Sequence, residues 1–324
     1  MASMIPSANL SSPDPLRISR VVIAICTCRR TGLLEKLLVH LAGAPLGNVE
    51  RCEISILVVD NAPTGEVADM IERIRERLPL TIELVEEPEP GISQARNRAV
   101  QEALRRNCDF LAFIDDDDLP ATDWLDRLLE RQVRSAADIV LGRIVRRKAD
   151  GSEVILNDDE TIWREDGLAN ALGTGNVLIA GTLLKKMRDL GAVFDPAFGS
   201  TGGEDADFYY RAKLAGARFV REPASHVFAP YTEERLRGRG LFALKFRYGC
   251  ADAALVRRHL DPAARRKWLF ATGRRFLRSL LSTPWRLVRS PTKADRTLSK
   301  LGWPSGALFG FFGGRYGYYG KKVR

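Results

Sequence analysis

The stretch DFLAFIDDDD (residues 109–118) decides how the whole chain reads. Its apolar run FLAFI shows no alternation of polar and apolar positions, as expected of a strand buried on both faces. It then stops abruptly on four adjacent aspartates. Three similar units lie upstream. VVIAICTC (21–28) precedes the apolar-periodic TGLLEKLLVHLAG, ISILVVD (54–60) precedes GEVADMIERIRERL, and TIELVEE (81–87) precedes ISQARNRAVQEALRR. The Asp run itself leads into a helix expected from about Thr122. Strand, helix, strand repetition with continuous apolar strands predicts an α/β fold with a mostly parallel, doubly wound sheet and right-handed crossovers.

Farther on, the pattern loosens. A strand IVLGRIVRR (139–147), a Gly-rich stretch GTGNVLIAG (173–181) and a helix from Glu204 to about Ala215 suggest a mixed sheet and helices that complete a cleft. No internal repeat or low-complexity linker interrupts residues 19–260, which read as one catalytic domain. Residues 1–18 read as a flexible leader without an apolar signal core. Residues 261–324 form a separate basic region.

The chain has 324 residues, a formal charge of +9 and 45% hydrophobic residues, a globular composition that excludes wholesale disorder. The charge is unevenly spread. Residues 262–324 hold 15 Lys or Arg against one acid, Asp295, so this tail carries about +14 and the rest about −5. A mildly acidic body with a basic tail argues against nucleic acid as a partner and for an anionic surface. The five cysteines form no CxxC pair and read as reduced thiols. No segment offers about 20 uninterrupted apolar residues for a membrane span.

In open α/β sheets ligands bind beyond the carboxyl ends of the strands. Those ends here carry Thr27, Cys28 and Arg29, then Asp60 and Asn61, then Gly91, Ser93, Arg96 and Asn97, and finally Asp115 to Asp118. Four adjacent carboxylates repel one another unless a cation neutralises them, and Mg²⁺ or Mn²⁺ shared with phosphate oxygens suits that role. In GGEDADFYYR, Gly202 and Gly203 precede Glu204, Asp205 and Asp207 in the first turn of a helix, where the dipole favours carboxylates. A carboxylate fixed there can take a proton from an attacking hydroxyl.

Taken in order, VVIAICTCRR, VVDNAP, GISQARNRA, FIDDDDLP, GTGNVLI and GGEDADFYYR resemble the family-two inverting glycosyltransferases of GT-A fold, especially the bacterial exopolysaccharide and succinoglycan-type sugar transferases. The resemblance covers roughly residues 20–250. It implies a Rossmann-like, mostly parallel sheet and a nucleotide-sugar donor, a UDP-sugar foremost. Thr27, Arg29 and Asp60, with Asn61, fall where such enzymes hold base and ribose, and Arg96 falls near the donor. The Asp run matches the DxD element. Asp115 and Asp117 are its expected members, with Asp117 nearest an Mn²⁺ or Mg²⁺ ion and Asp116 or Asp118 open for either role. Asp205 matches the catalytic base, with Glu204 or Asp207 beside it in acceptor binding. His226 is a further metal or diphosphate candidate, and Asn176, Arg235, Arg237 and Arg239 are acceptor-side candidates.

The resemblance implies a saccharide or lipid-linked saccharide acceptor and a role in cell-surface polysaccharide synthesis. Two alternatives share some of these features: a metal-dependent nucleotidyltransferase, and a non-catalytic membrane-bound adaptor with a degenerate transferase fold. The first is disfavoured because CTCRRTG offers no Gly-rich phosphate loop, and the second because both acidic elements are intact.

In the tail, a helical projection of residues 265–281 gathers Leu269, Phe270, Phe276, Leu277, Leu280 and Leu281 on one arc and Lys267, Arg274, Arg275 and Arg278 on the other. Pro284 is expected to end this helix. WPSGALFGFFGG (303–314) is too short to span and reads as interfacial or re-entrant. The tail therefore predicts a cytoplasmic protein held peripherally on the anionic inner face of the plasma membrane.

Overall fold

The computed structural model describes residues 19–43, 52–78, 81–148, 150–154, 162, 163, 167, 168, 173–199, 202–230, 238–289, 294–314 and 316. The expected leader and the two arginines at 235 and 237 lie outside them. The amino-terminal half runs β1 (Ser19–Thr27), α1 (Thr31–Gly43), β2 (Cys52–Asp60), α2 (Glu66–Ile74), β3 (Ile82–Glu86), α3 (Ile92–Arg105) and β4 (Phe110–Asp115). Next come β5 (Leu119–Pro120), α4 (Trp124–Ser135), β6 (Ile139–Arg147), β7 (Glu153–Val154), β8 (Asn176–Ala180), α5 (Gly181–Asp189), α6 (Glu204–Leu214) and β9 (Phe219–Pro230). Three long helices follow: α7 (Gly238–His259), α8 (Pro262–Arg289) and α9 (Ala294–Phe311).

One sheet connects all of the strands, in the order β3-β2-β1-β4-β8-β6-β9-β5, with β7 on β6. Its first four strands are parallel, as the unbroken apolar runs require, because such strands need cover on both faces. Val22, Ala24, Leu57 and Phe113 pack with Ala99 and Ala103 of α3, Leu183 of α5 and Phe208 of α6 on one face. Ile23, Ile25 and Val58 pack with Leu34 and Leu38 of α1, Met70 of α2 and Leu128 of α4 on the other. Each large side chain so buried contributes roughly 1.5–3 kcal/mol.

The Gly-rich stretch hides a central strand. NVLIA of β8 is buried throughout and runs antiparallel between β4 and β6, with Asn176 opposite Ile114. The sheet is therefore mixed past β4, and the reversal brings the residues before Asn176 back toward the Asp run.

Two expectations for the tail need correction. Pro284 does not end its helix, which continues to Arg289. The proline removes one helical N–H, whose partner would be the Leu280 carbonyl, and the helix continues past that single lost bond. The segment from Trp303 belongs to α9, which crosses α7 at very short range. Gly302, Gly306 and Gly310 recur every fourth residue and so share one helix face. A Cβ at Gly306 would overlap the Phe246 carbonyl, and one at Gly249 would overlap the Trp303 carbonyl. Small residues at this spacing let two helix backbones meet.

We expect Gly306→Val to lower stability by about 1–3 kcal/mol or more through overpacking at this crossing. Gly273→Ala on α8, where nothing lies within 4 Å of the new methyl, should raise it by up to about 1 kcal/mol through helix propensity. Denaturant midpoints of the two variants check this contrast.

Candidate active site

The carboxyl ends of β1, β2 and β4 form the floor of a polar cleft. At the end of β1, Thr27 Oγ1 donates to Asp116 Oδ2 at 2.7 Å. Arg30 Nη1, three residues on, lies 3.1 Å from both Asp116 Oδ1 and Asp117 Oδ2. The four aspartates alternate: Asp116 and Asp118 are buried, whereas the Asp115 side chain is 50% exposed and that of Asp117 20%. Burial pushes Asp116 up to about 6, opposed by Arg30 and the Thr27 hydroxyl. Burial, then the charges of Asp115 and Asp117, push Asp118 well above the carboxylate range. Gly175 lies directly beneath, since a Cβ there would come 2.9 Å from Asp115 Oδ2 and 3.0 Å from Asp118 Oδ2.

The opposite wall is the amino end of α6. Gly203 precedes it with φ 100°, a left-handed turn that a residue with a Cβ resists. The next residue, Glu204, is buried and paired with Arg96 of α3 through Oε1 and Nη1. Arg96 Nη2 also lies 3.9 Å from Asp115 Oδ1, so one buried guanidinium sits between the two acidic elements. Glu204 Oε2 is buried without a hydrogen-bond partner among the described residues. Asp205 follows, its Oδ1 accepting the Ala206 N–H at 2.7 Å. Burial, then the Glu204 charge, push Asp205 up to about 7, with Arg96 opposing. A carboxyl with that pKa can act as a proton acceptor near neutrality.

Asp207 is fully buried and turned into the protein. Its carboxylate accepts from Arg211 Nε at 2.7 Å and from His259 Nε2 of α7 at 2.8 Å, with Arg258 Nε 3.5 Å away. Burial alone would raise it, but His259 and Arg211 hold it below the usual range. This clamp ties α6 to α7 and places Asp207 outside the cleft, unlike the substrate-side role expected of it.

Other expected residues divide the same way. The Asn61 amide donates to the Glu87 and Glu89 carbonyls at 2.9 and 2.7 Å and accepts the Gly91 N–H at 2.9 Å, so it shapes the loop into α3 rather than meeting a ligand. Asn176 Nδ2 donates to the Arg143 and Ser225 carbonyls, both at 3.1 Å, and so ties β8 to β6 and β9 rather than facing an acceptor. Asp60 is buried and accepts the Ala62 N–H. Arg29 is exposed at the end of β1 with φ 58°, and Arg239 is exposed on α7. His226 lies within β9, where its carbonyl accepts the Ala121 N–H. It joins no group of three potential metal ligands among the described residues. Arg30 went unnoticed in the sequence. Its signal was a second basic residue just after β1, directly across from the β4 end.

Asp115 and Asp117 supply hard oxygen donors at the open end of the cleft, where their like charges lie close together. This donor set fits Mg²⁺ or Mn²⁺ held by one or two carboxylates, with phosphate oxygens and water completing the shell.

Residues 22–190 match the family model for glycosyl transferase family 2. Over 250 residues the chain is 30% identical to the succinoglycan biosynthesis protein ExoM of Rhizobium meliloti strain 1021, spanning 75% of this chain and 77% of that protein. It is also 30% identical over 199 residues to the pre-mycofactocin glycosyltransferase of Mycobacterium tuberculosis, spanning 56% of this chain and 39% of that one. Among solved structures, the mannosyltransferase PcManGT of Pyrobaculum calidifontis, in complex with GDP-Man and Mn²⁺, superposes with a TM-score of 0.57 at 18% identity, covering 93% of this chain and 89% of that one. The chain belongs to glycosyl transferase family 2 and has a GT-A-like mixed α/β fold.

If Asp205 is the group whose ionisation limits turnover, kcat/KM should rise with pH through about 7 and level off above it, because its raised pKa keeps it protonated, and unable to accept a proton, at lower pH. A pH series on wild type and Asp205→Asn checks this, with the limb absent in the variant.

Proposed function

We propose that the protein is an inverting glycosyltransferase that moves a sugar from a nucleoside-diphosphate sugar to a hydroxyl of a saccharide or lipid-linked saccharide during cell-surface polysaccharide assembly. One observation carries this reading: Arg96 draws the Asp run and the GED turn into one cleft, with Asp205 raised to about 7 on the far wall. The similarity to a succinoglycan biosynthesis protein supports the polysaccharide context, and the shared fold with a GDP-Man and Mn²⁺ complex supports a nucleotide-sugar donor.

In this reading the diphosphate lies over Asp115 and Asp117, with the exposed Arg29 at the β1 end available to its negative charge. A divalent ion held by Asp117 and Asp115 would supply Lewis-acid stabilisation of the leaving diphosphate. Asp205 accepts the proton of the acceptor hydroxyl as its oxygen attacks the anomeric carbon. The glycosidic C–O bond to phosphate breaks on the opposite face in the same displacement, so the configuration inverts. Arg96 pairs with Glu204 beside the proposed base, and the unpartnered Glu204 Oε2 is free to accept from an acceptor hydroxyl. The protein would work on the inner face of the plasma membrane as a peripheral component. Among the described residues no helix is long and apolar enough to cross a bilayer.

Calorimetric titration of UDP-, GDP- and dTDP-sugars with Mn²⁺ or Mg²⁺, repeated with chelator, tests the donor side. One donor should bind only with metal, and Asp117→Ala should abolish that binding. Asp205→Asn should bind the same donor normally yet lose about 10²–10⁴-fold in turnover. Normal turnover in that variant would make another residue the base.

A further inference from the structure

The three carboxy-terminal helices carry a concentration of positive charge that the cleft chemistry does not use. On α8, Arg274, Arg275 and Arg278 line a cleft of about 440 Å³ together with Ala271 and Ser279. Arg275 is stacked over Trp303 of α9, its guanidinium 4.6 Å from the ring centre, and Arg274 lies 6.0 Å from the ring centre of Phe270. Stacking of this kind restrains a guanidinium and leaves its edge donors directed outward. Lys245 of α7 and Lys300 of α9 add two further cations. Lys245 donates to Ser299 Oγ at 3.1 Å, and partial burial, then the charges of Lys300 and Arg275, lower its pKa.

Nothing among the described residues neutralises this group. None of Arg274, Arg275, Arg278, Lys245 or Lys300 has a salt bridge there, and residues 262–324 contain a single acid against 15 bases. The acid of this corner, Asp252 of α7, accepts the Trp303 indole N–H at 2.8 Å. Like charges held together in this way favour an anionic ligand, and planar guanidinium forks match phosphate oxygens two at a time.

The flank of the same cleft indicates what carries the phosphate. Trp268, Leu269 and Phe276 are half-buried, whereas Phe270, Leu277, Leu281 and Trp285 are 70, 55, 78 and 61% exposed. On a helical projection these exposed side chains border the three arginines directly. A free phosphate in water has no use for an apolar rim. A lipid headgroup at a bilayer surface brings hydrocarbon beside phosphate and matches both.

We propose that Arg274, Arg275 and Arg278 form a binding site for the phosphate of an anionic membrane lipid, with Phe270, Leu277, Leu281 and Trp285 seated at the hydrocarbon boundary. The site rests on the membrane placement proposed above and makes it specific: geometry, as well as summed charge, sets the affinity.

The test uses the full chain with vesicles of phosphatidylcholine alone and of phosphatidylcholine mixed with phosphatidylglycerol, at an ionic strength of about 0.1 M. The wild type should sediment with the mixed vesicles and not with phosphatidylcholine alone. Replacing all three arginines by alanine should weaken binding about a hundredfold. Replacing all three by lysine conserves the charge but removes the planar forks, and should weaken it about tenfold. Both variants should bind nucleotide sugar as the wild type does, which shows that they are folded. If the lysine variant binds vesicles as well as wild type, diffuse charge suffices and the site is overturned while membrane placement stands. Wild type that ignores both vesicle types overturns the site and the placement together. Vesicle binding unchanged in the alanine variant, with pyrophosphate binding weakened by the same replacement, would assign the groove to a free phosphate and overturn the lipid assignment.

Discussion

The geometry of the cleft depends on keeping two groups of carboxylates close together, and Arg96 makes that possible. The aspartates at the end of β4 and Glu204 and Asp205 at the start of α6 repel each other across a partly desolvated space. Arg96, buried on α3 between them, pairs with Glu204 and lies within 3.9 Å of Asp115. Breaking a buried pair by removing one partner typically costs 3–5 kcal/mol, because the remaining charge stays buried and uncompensated. The α6 helix is therefore held in register with the end of β4, against which the proposed donor diphosphate would lie.

A second set of contacts fixes that helix from behind. Asp207 lies two residues beyond Asp205 and is held by Arg211, Arg258 and His259, so α7 braces the first turn of α6. α9 in turn packs on α7 through small residues, among them Gly249 and Gly306. The tail helices thus share a continuous packed path with the start of α6 while presenting their own basic and apolar surface outward.

Much of this was legible in the residues. Continuous apolar runs marked β1, β2 and β4 because burial on both faces leaves no alternation, and the change from FLAFI to four aspartates marked the mouth of the cleft. Asp115 and Asp117 lie on the open side because the chain turns after β4, the Asp118 N–H donating to the Asp115 carbonyl at 3.1 Å, and this turn leaves Asp116 and Asp118 inward. Less was visible wherever a polar side chain was claimed by the backbone. Asn61 and Asn176 look like ligand-binding residues in sequence, yet their amides spend their hydrogen bonds on loop and strand carbonyls. β8 was obscured by its flanking glycines: Asp115 and Asp118 leave no room for a side chain at position 175, and the Cys108 carbonyl leaves none at 181. Pro284 misled because the loss of one N–H does not by itself end a helix whose turns on either side are intact.

The central claim is that one displacement occurs between Asp205 on one wall and a diphosphate over the Asp run on the other. The measurement that tests it most directly is the anomeric configuration of the transferred sugar, read from the proton coupling constant of the isolated product formed from a donor of known configuration. The account predicts inversion in every product molecule. Retention would require a second displacement or front-face attack, and would contradict the assignment of the two acidic elements to opposite sides of a single transfer.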